Sequence, residues 1–487
     1  MHEDFGCSRL VFRALGLPAE HPGSTCSLTS LLPPSGGAAW LGERRQMVGL
    51  GRALTLESAA PDAIAQVRRA WEATPVSSSA PTAGAARPGE ATPASSLTPC
   101  AGAARPGEAT PASSPTPYAG AARPGEATPA SPPTGDAPSP VLTAGAARPG
   151  EATPASPPTG DAPSPVLFAS FAFRSPARSV AFVPALALID EAGARWAITA
   201  GIGQAPDPLA AVDAALAEAR PAPRVPESLT FGQGSMSRTQ WRDSVRSMAA
   251  RLREGAADKA VMARDMTIRC SWGFDERFLL ERLTELYPST WRFSVDSLVG
   301  ASPEMLIAAR GGIVSSRVLA GTCKPGEGQA LASSAKDLRE HALASESVSS
   351  ILERLCLDVR AQGPFLLALP NVTHLATDVR ARLGSAHLLD LVAALHPTAA
   401  VCGTPRDAAM HLIEELEDTE RGRYSGPVGW VDTAGDGEFA IALRCGLASG
   451  TRLRLFAGAG IMPDSDPDLE LTETEAKMRP LLDALGV

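Results

Sequence analysis

The chain has 487 residues, with 44 Lys and Arg against 53 Asp and Glu and a formal charge of −9. This balance excludes a protein that binds nucleic acid or an anionic membrane through its overall charge, because such binding needs a net or concentrated positive field. Only four of the basic residues are lysines: Lys259, Lys324, Lys336 and Lys477. Each is a candidate for a role that arginine cannot fill, because ammonium can lose a proton; chance retention is the alternative.

The chain carries no sign of secretion or of a membrane span. Its first residues include acids and lack a basic stretch followed by an apolar one. No apolar run approaches the ~18 residues that a membrane span needs. The eight cysteines are scattered without metal-ligand spacing, which is typical of free thiols in a reducing compartment. We therefore expect a cytoplasmic protein with no membrane partner.

The predicted elements begin with a strand over 47–58 and an amphipathic helix over 61–73. A low-complexity block over 77–167 follows, in which AGAARPGEATPAS occurs four times. Large apolar residues are nearly absent from this block, so it cannot bury enough surface to offset the entropy of ordering. We expect a disordered Pro/Ala/Gly-rich insert in one interrupted domain, with 1–76 before it and 168–237 after it.

The elements after the insert mix helices with antiparallel strands. Residues 180–201 hold two β-rich runs joined by Glu-Ala-Gly, which predicts a hairpin. From Arg238 an amphipathic helix is expected to end near Gly255, before a strand that starts at Lys259. A long helix is predicted over 338–361 and a β-meander over 426–461. No regular β-α-β rhythm is present, so the fold class is α+β, with 238–487 as the main domain.

Two residues are candidates for proton transfer. Lys259 could act as a general base if its amine is neutral, or it could be a solvated lysine at the start of a strand. Glu304 follows the turn sequence Gly-Ala-Ser-Pro, which fixes its carboxyl at a rigid junction and suits an acid. A surface or capping glutamate is the alternative for this position.

Acidic residues recur on the predicted helices. Glu340 lies near the start of the long helix, and Glu470, Glu473 and Lys477 share one face of the last helix. Carboxylates from two helices suit a magnesium ion, whereas a surface pair of Glu473 with Lys477 is the alternative. The histidines lack zinc spacing, and the Gly-rich loop 319–328 lacks phosphate-loop spacing.

Arg444 follows a strand, and Gly458 and Gly460 allow close approach of the backbone. An arginine fork beside bare N–H groups can bind a carboxylate, although a structural arginine beside a tight turn is the alternative. Together these residues supply one base, one acid, an acidic pair for a cation and an anion clamp. The set suits an enzyme that acts on a small dianionic substrate.

The segment 238–487 resembles the chorismate-binding enzymes, and among them the isochorismate synthases. The resemblance rests on motifs in matching order: DKAVMAR, GASPEML, LAGT, SSAKDLREH, HLAT, LHPTAAVCGTPRDAA, ERGRYSGPVGW, IALRC, RLFAGAGI and the final E-x-x-E-T-x-x-K. It implies antiparallel sheets packed face to face with helices outside. It also implies a monomer that takes chorismate as substrate and binds no nucleic acid.

The resemblance assigns roles to individual residues. Lys259 matches the base that activates water, and Glu304 matches the acid that protonates the departing hydroxyl. Glu340 and Glu473, with Glu470 close by, match the Mg²⁺ ligands. The positions that match the substrate-binding residues are Gly321, Ala400, Tyr424, Arg444, Gly458, Gly460 and Lys477.

Single positions favour one reaction within the family. Amine-forming members lack a lysine at the position of Lys259, and aminodeoxychorismate synthases have a nucleophilic lysine where this chain has Ala320. Salicylate synthases also activate water but tend to have threonine at the position of Ala400. We therefore expect isochorismate as the product, for quinone or siderophore synthesis, with a salicylate synthase or a Pro-rich interaction scaffold as alternatives. Pro480 is expected to kink or end the last helix.

Overall fold

The computed structural model describes residues 9–78, 162–218, 220–323, 326–368 and 373–487, and these belong to one compact unit. The predicted repeat insert lies almost wholly outside the described residues, as does Lys324. Lys336 is described only by its place in a helix. Within the described ranges, no helix is long and apolar enough to cross a bilayer.

Two large sheets form the body of the protein. The first sheet has thirteen strands and the second has nine, and all described pairings are antiparallel except that of β1 with β5. The strands of the first sheet are β1 (Leu10–Gly16), β2 (Ala38–Leu41), β3 (Arg45–Leu50), β5 (Val76–Ser78), β8 (Leu186–Glu191), β9 (Ala194–Ile202), β10 (Thr230–Gln233), β11 (Lys259–Arg269), β12 (Trp291–Val295), β13 (Leu298–Ser302), β18 (Gly403–Thr404), β21 (Cys445–Ser449) and β22 (Arg452–Ile461). Those of the second are β4 (Leu54–Ser58), β6 (Val166–Ser170), β7 (Ser179–Val183), β14 (Met305–Arg310), β15 (Ile313–Cys323), β16 (Cys356–Ala368), β17 (Thr373–Leu383), β19 (Pro427–Asp432) and β20 (Gly437–Ile441).

Helices pack against both sheets. The helices are α1 (Pro22–Thr25), α2 (Ala63–Ala73), α3 (Pro208–Ala217), α4 (Arg238–Arg253), α5 (Glu276–Leu286), α6 (Gly328–Ser333), α7 (Ala335–Leu355), α8 (Leu388–Leu395), α9 (Arg406–Leu416) and α10 (Pro467–Leu485), with a 3₁₀ turn at Thr29–Leu31. Helix α4 begins with a capping box, in which the Ser237 hydroxyl and the Gln240 side chain each bond the other's backbone N–H. The predicted α+β class is confirmed.

The core between the sheets is built from large side chains of both. Trp40 and Phe293 of the first sheet and Phe168 and Phe182 of the second are fully buried in one cluster. Removing one such ring typically costs about 3–5 kcal/mol of stability, because a cavity remains. The sheets therefore pack face to face, as predicted, and give the site a rigid support.

Strands from both ends of the chain share each sheet. In the first sheet β12 pairs with β2, and in the second β19 pairs with β6. Strands before residue 238 thus pair directly with strands after it in both sheets. The two sides of the predicted boundary at 237 therefore form one compact unit. Strand β6 begins at Val166, just inside the predicted insert, because Val166 and Leu167 pair with β19.

Several predicted elements are found and others need correction. The hairpin of β8 and β9, helix α2 and the strand that starts at Lys259 are present as predicted. The single strand predicted over 47–58 is wrong: the chain turns at Gly51, with φ of +64°, and β3 and β4 belong to different sheets. The meander over 426–461 is likewise divided, because β19 and β20 lie in the second sheet and β21 and β22 in the first.

The long helix predicted over 338–361 ends earlier. Helix α7 stops at Leu355, and Val359 lies in β16, which pairs with β17. Apolar residues at helical spacing continue past the helix end, so the spacing alone misled the prediction. Pro480 does not end α10, which continues to Leu485 and is capped by Gly486 in a left-handed conformation.

Candidate active site

The lysine predicted as a base lies at the start of β11, beside β22. Its Cε lies 2.8 Å from the position that a Cβ on Gly460 would take, so the lysine can hold its present position only beside glycine. The Lys259 Nζ lies 3.2 Å from Glu340 Oε1 on α7. Strand β11 and helix α7 thus bring two predicted site residues into contact across 81 positions of the sequence.

The backbone of Glu304 is fixed in the turn between β13 and β14. The Ser302 hydroxyl accepts a hydrogen bond from the Glu304 N–H at 3.2 Å and donates to the Ile441 carbonyl at 2.6 Å. The Ile441 N–H in turn donates to the Glu304 carbonyl at 3.0 Å. The acid predicted from GASPEML is therefore held by the backbone of β20.

Burial raises the pKa of Glu304, against the opposing effect of three cations. These cations are Arg444, Lys477 and Lys259. A carboxyl that is withdrawn from water keeps its proton to higher pH and can donate it to a leaving group. The predicted acid, base and anion-binding cations therefore lie in one electrostatic neighbourhood.

Arg444 lies where the chain crosses from the second sheet to the first. Its backbone has φ of +49°, and its carbonyl accepts a hydrogen bond from the Ala301 N–H at 3.2 Å. Burial lowers its pKa, while Tyr424, Glu304 and Glu473 act in the opposite direction. The guanidinium stays charged even so, because arginine keeps its proton in proteins. The carboxyls of Glu304 and Glu473 lie close enough to act on it.

Helix α10 supplies the second cation. Lys477 Nζ donates to the Gly458 carbonyl at 2.9 Å and lies 2.5 Å from Glu473 Oε1. One turn before Glu473, the Glu470 carboxylate accepts a hydrogen bond from the Ser465 hydroxyl at 2.7 Å. Burial raises the pKa of Glu470, and the neighbouring charge of Glu473 adds to this effect. The predicted shared face of this helix is therefore present.

Tyr424 closes the site beside β22. Its ring stacks on Phe456, with centroids 5.1 Å apart. Its hydroxyl lies 3.2 Å from the place of a Cβ on Gly458, and burial raises its pKa. The phenol is thus a neutral hydrogen-bonding group next to the backbone that Lys477 also contacts.

Gly321 and Ala400 complete the predicted substrate positions. Gly321 has φ of +79°, a conformation that favours glycine, and it lies beside Asp337 near the start of α7. Ala400 and Glu304 line one cavity of about 50 Å³, whose other walls combine apolar residues such as Leu319, Val348 and Leu395 with polar ones such as Arg317 and Thr398. The small side chain of Ala400 keeps this space open.

The predicted metal ligands are only partly assembled. Glu340 is paired with Lys259, and Glu473 is paired with Lys477. Across the described part of the chain, no three His, Cys, Asp or Glu side chains form a group that could hold a metal ion. The magnesium site thus stays a prediction.

Sequence reasoning missed two features of this region. His374 lies beside the Gly321 backbone and Arg444, and burial lowers its pKa. A buried ion pair of Glu417 with Arg421 lies behind the site. His374 begins the motif HLAT and Arg421 lies in ERGRYSGPVGW, whereas Glu417 precedes that motif, so the motifs were a signal for His374 and Arg421 alone.

A half-buried acid with a raised pKa, a lysine amine and two further cations are the groups expected of an enzyme site for a small anionic substrate. The sequence pattern of the family described as "Chorismate binding enzyme" matches residues 159–486. The chain therefore belongs to the chorismate-binding enzyme family, and the family predicted from the motifs is confirmed.

The relatives and solved structures agree with this assignment. Isochorismate synthase MenF of Bacillus subtilis (strain 168) is 35% identical over 265 residues, a match that covers 52% of this chain and 56% of that protein. Isochorismate synthase DhbC of the same organism is 37% identical over 269 residues, covering 51% and 68%. The structure of MenF, the menaquinone-specific isochorismate synthase from Escherichia coli, matches with a TM-score of 0.69 at 20% identity, over 98% of this chain and 95% of that one. The last likeness confirms the predicted fold.

Proposed function

We propose that this protein is an isochorismate synthase that converts chorismate into isochorismate. The observation that carries the proposal is the placement of Glu304, a half-buried carboxyl whose pKa is raised by desolvation, close to Arg444, Lys477 and Lys259. The names of the relatives, MenF and DhbC, support the same activity. Isochorismate would serve quinone or siderophore synthesis.

The proposed reaction divides the proton transfers between two residues. Lys259, as a neutral amine, takes a proton from water while the water oxygen bonds to C2 of the ring. The ring double bond shifts, and the C4–O bond breaks as Glu304 gives its proton to the departing hydroxyl. One water enters and one leaves, so the product is an isomer of the substrate. Each proton transfer of this kind contributes about 10²–10⁴-fold to a rate.

The remaining residues hold the two carboxylates of the substrate. Arg444 and Lys477 supply charge, and the bare backbone of Gly458 and Gly460 allows close approach. Tyr424 adds a neutral donor beside Gly458. Gly321 and Ala400 border the ring and are small enough to leave it room.

The acidic residues suit a magnesium ion in their chemistry. Glu473 lies close enough to Glu470 for its charge to raise the pKa of Glu470, and carboxylate oxygens are the ligands that Mg²⁺ prefers. Glu340, Glu470 and Glu473 would hold the ion, which would bind a substrate carboxylate. Lys259 and Lys477 would then lose their present carboxylate partners, leaving both amines free for the substrate.

The test mixes the full chain with chorismate and Mg²⁺ and separates the products by chromatography. Isochorismate as the main product is expected, and its loss in Lys259→Arg and Glu304→Gln would support the roles of this base and this acid. Salicylate with pyruvate would instead identify a salicylate synthase, and anthranilate with added ammonia would exclude both water-based reactions. No turnover would favour a binding protein or a Pro-rich scaffold.

Two properties of the whole protein accompany the proposal. We expect a cytoplasmic monomer. Six cysteines in the described part of the chain, among them Cys270 and Cys402, are free thiols, and a reducing compartment permits this. Size-exclusion chromatography with light scattering would test this expectation, because the measured mass of a dimer would be twice that of the chain.

A further inference from the structure

A buried ion pair lies behind the proposed site, between α9 and β19. Glu417 is 6% exposed and Arg421 is 3% exposed. The Arg421 Nε donates to Glu417 Oε1 and its Nη2 to Oε2, each at 2.7 Å. The guanidinium also lies over the ring of Phe173, 4.0 Å from its centroid. Neither member of the pair belongs to the residues assigned to substrate or cation.

Every N–H of this guanidinium has a partner. Besides the two bonds to Glu417, Nη1 donates to the Val401 carbonyl at 2.8 Å and to the Ser425 hydroxyl at 3.3 Å. Nη2 also donates to the Val261 carbonyl at 2.7 Å. Arginine alone offers five N–H donors in a fixed plane, whereas a lysine ammonium offers three. The contacts therefore specify arginine at position 421.

The partners of the pair lie next to the proposed site. Glu417 Oε2 accepts a hydrogen bond from the Ala263 N–H at 2.6 Å, which adds a second contact with β11. The Val261 N–H also donates to the Cys402 carbonyl at 2.8 Å. Each contacted segment carries a site residue: β11 carries Lys259, the loop before β18 carries Ala400, and the loop before β19 carries Tyr424.

We propose that Arg421 is a positioning residue that fixes β11, with Lys259, relative to the loop that carries Ala400. The proposal rests on the proposed function, in which Lys259 is the base. Glu304 is held by separate contacts with β20, so loss of the arginine would displace the base and leave the acid in place. A displacement of about 1 Å far from the reacting atoms can lower a rate by up to ~10²-fold.

The variant Arg421→Lys keeps a positive charge and most of the volume but cannot form all five bonds. We expect its kcat to fall by ~10- to 100-fold with little change in KM, because the two charged groups proposed for the substrate carboxylates, Arg444 and Lys477, lie on elements that Arg421 does not contact. The matched control is Arg277→Lys, whose arginine is 1% exposed, bonds Asp275 at 2.9 and 2.6 Å and is none of the proposed site residues. This control should lower the melting temperature and keep the wild-type kcat.

Hydrogen exchange of the full-length chain gives a readout that needs no turnover. In Arg421→Lys, the amides of 261–263 and 401–403 should exchange faster than in wild type, and those of β13 and β20 should not. If Arg421→Lys does not fold, Ser425→Ala, which removes one of the five bonds, should show the same pattern with a smaller loss of kcat.

The outcomes separate this proposal from the proposed function. Unchanged exchange at 261–263 and 401–403 would overturn the positioning role, as would an equal loss of kcat in Arg421→Lys and Arg277→Lys. A wild-type chain that does not convert chorismate would overturn the proposed function, while the exchange pattern would still decide whether Arg421 orders these two segments.

Discussion

The substitution Gly460→Ala should displace the proposed base without disturbing the fold. The new Cβ would lie 2.8 Å from Lys259 Cε and 3.5 Å from Nζ, and no other atom lies within 4 Å of it. Ordinary contacts with a Cβ begin at 3.4 Å, so the lysine end must retreat by about 0.6 Å, which is most of the ~1 Å that can cost a rate 10²-fold. The lysine chain is flexible and accommodates this shift.

The expected effect is selective for catalysis. A shift of this size should lower kcat by roughly 10-fold, equivalent to about 1.4 kcal/mol in the activation free energy. The melting temperature should stay level or rise slightly, because alanine has fewer unfolded conformations than glycine. The KM for chorismate should rise as well, because the new methyl lies on the Gly460 backbone that is proposed to approach a substrate carboxylate, so kcat is measured at saturating chorismate.

The measurement is a steady-state kcat for isochorismate formation, paired with a thermal melt of the same sample. Gly232→Ala is the matched control: it also replaces a strand glycine, but the nearest atom would lie 3.7 Å from the new Cβ. This control should keep the wild-type kcat. A wild-type kcat in a folded Gly460→Ala variant would refute the argument that the place of the Lys259 amine limits the reaction.

Four further predictions concern other parts of the molecule. Lys259→Arg should fold with a wild-type melting curve and show no turnover, because guanidinium cannot accept the proton; measurable isochorismate would remove Lys259 as the base. Burial raises the pKa of Glu304 above 4.5, so the wild-type kcat should fall as the pH rises through that raised pKa. Glu304→Gln should be at least ~10²-fold slower and lack this limb of the pH profile, and an unaltered profile would contradict the role of the acid. Glu473→Gln should weaken Mg²⁺ binding measured by calorimetry, whereas Glu475→Gln on the same helix should not; equal affinities would count against the metal site. Replacing residues 80–160 with a short Gly/Ser linker leaves β5 and β6 whole and should leave kcat unchanged, and lost solubility or activity would show that the segment is more than a linker.

Local sequence signals predicted elements well where neighbours in sequence decide the structure. The helix that starts at Arg238 and the hairpin of β8 and β9 both depend on residues within a few positions. The strand break at Gly51 and the early end of α7 depend instead on pairing with distant strands. The apolar spacing of 338–361 suits a helix, but β17 offers the residues after Leu355 a ladder of backbone hydrogen bonds.

The sequence identified residues of the site but could not show which of them are in contact. The motifs identified Lys259, Glu304 and Arg444, and the structure places these charges in one neighbourhood. No local pattern could show that Lys259 meets Glu340. The Glu417–Arg421 pair has the four-residue spacing of an ordinary surface ion pair, and only its burial shows that it supports the site.

The interleaving of early and late strands has a consequence for synthesis on the ribosome. Strand β6 ends at Ser170, but its partner β19 begins at Pro427. At about 5–20 residues per second, β6 waits roughly 10–50 s for that partner. During this time a buried apolar strand has an open edge, which is the kind of surface that aggregates. Efficient expression of this enzyme should therefore depend on chaperones that cover the nascent first third of the chain.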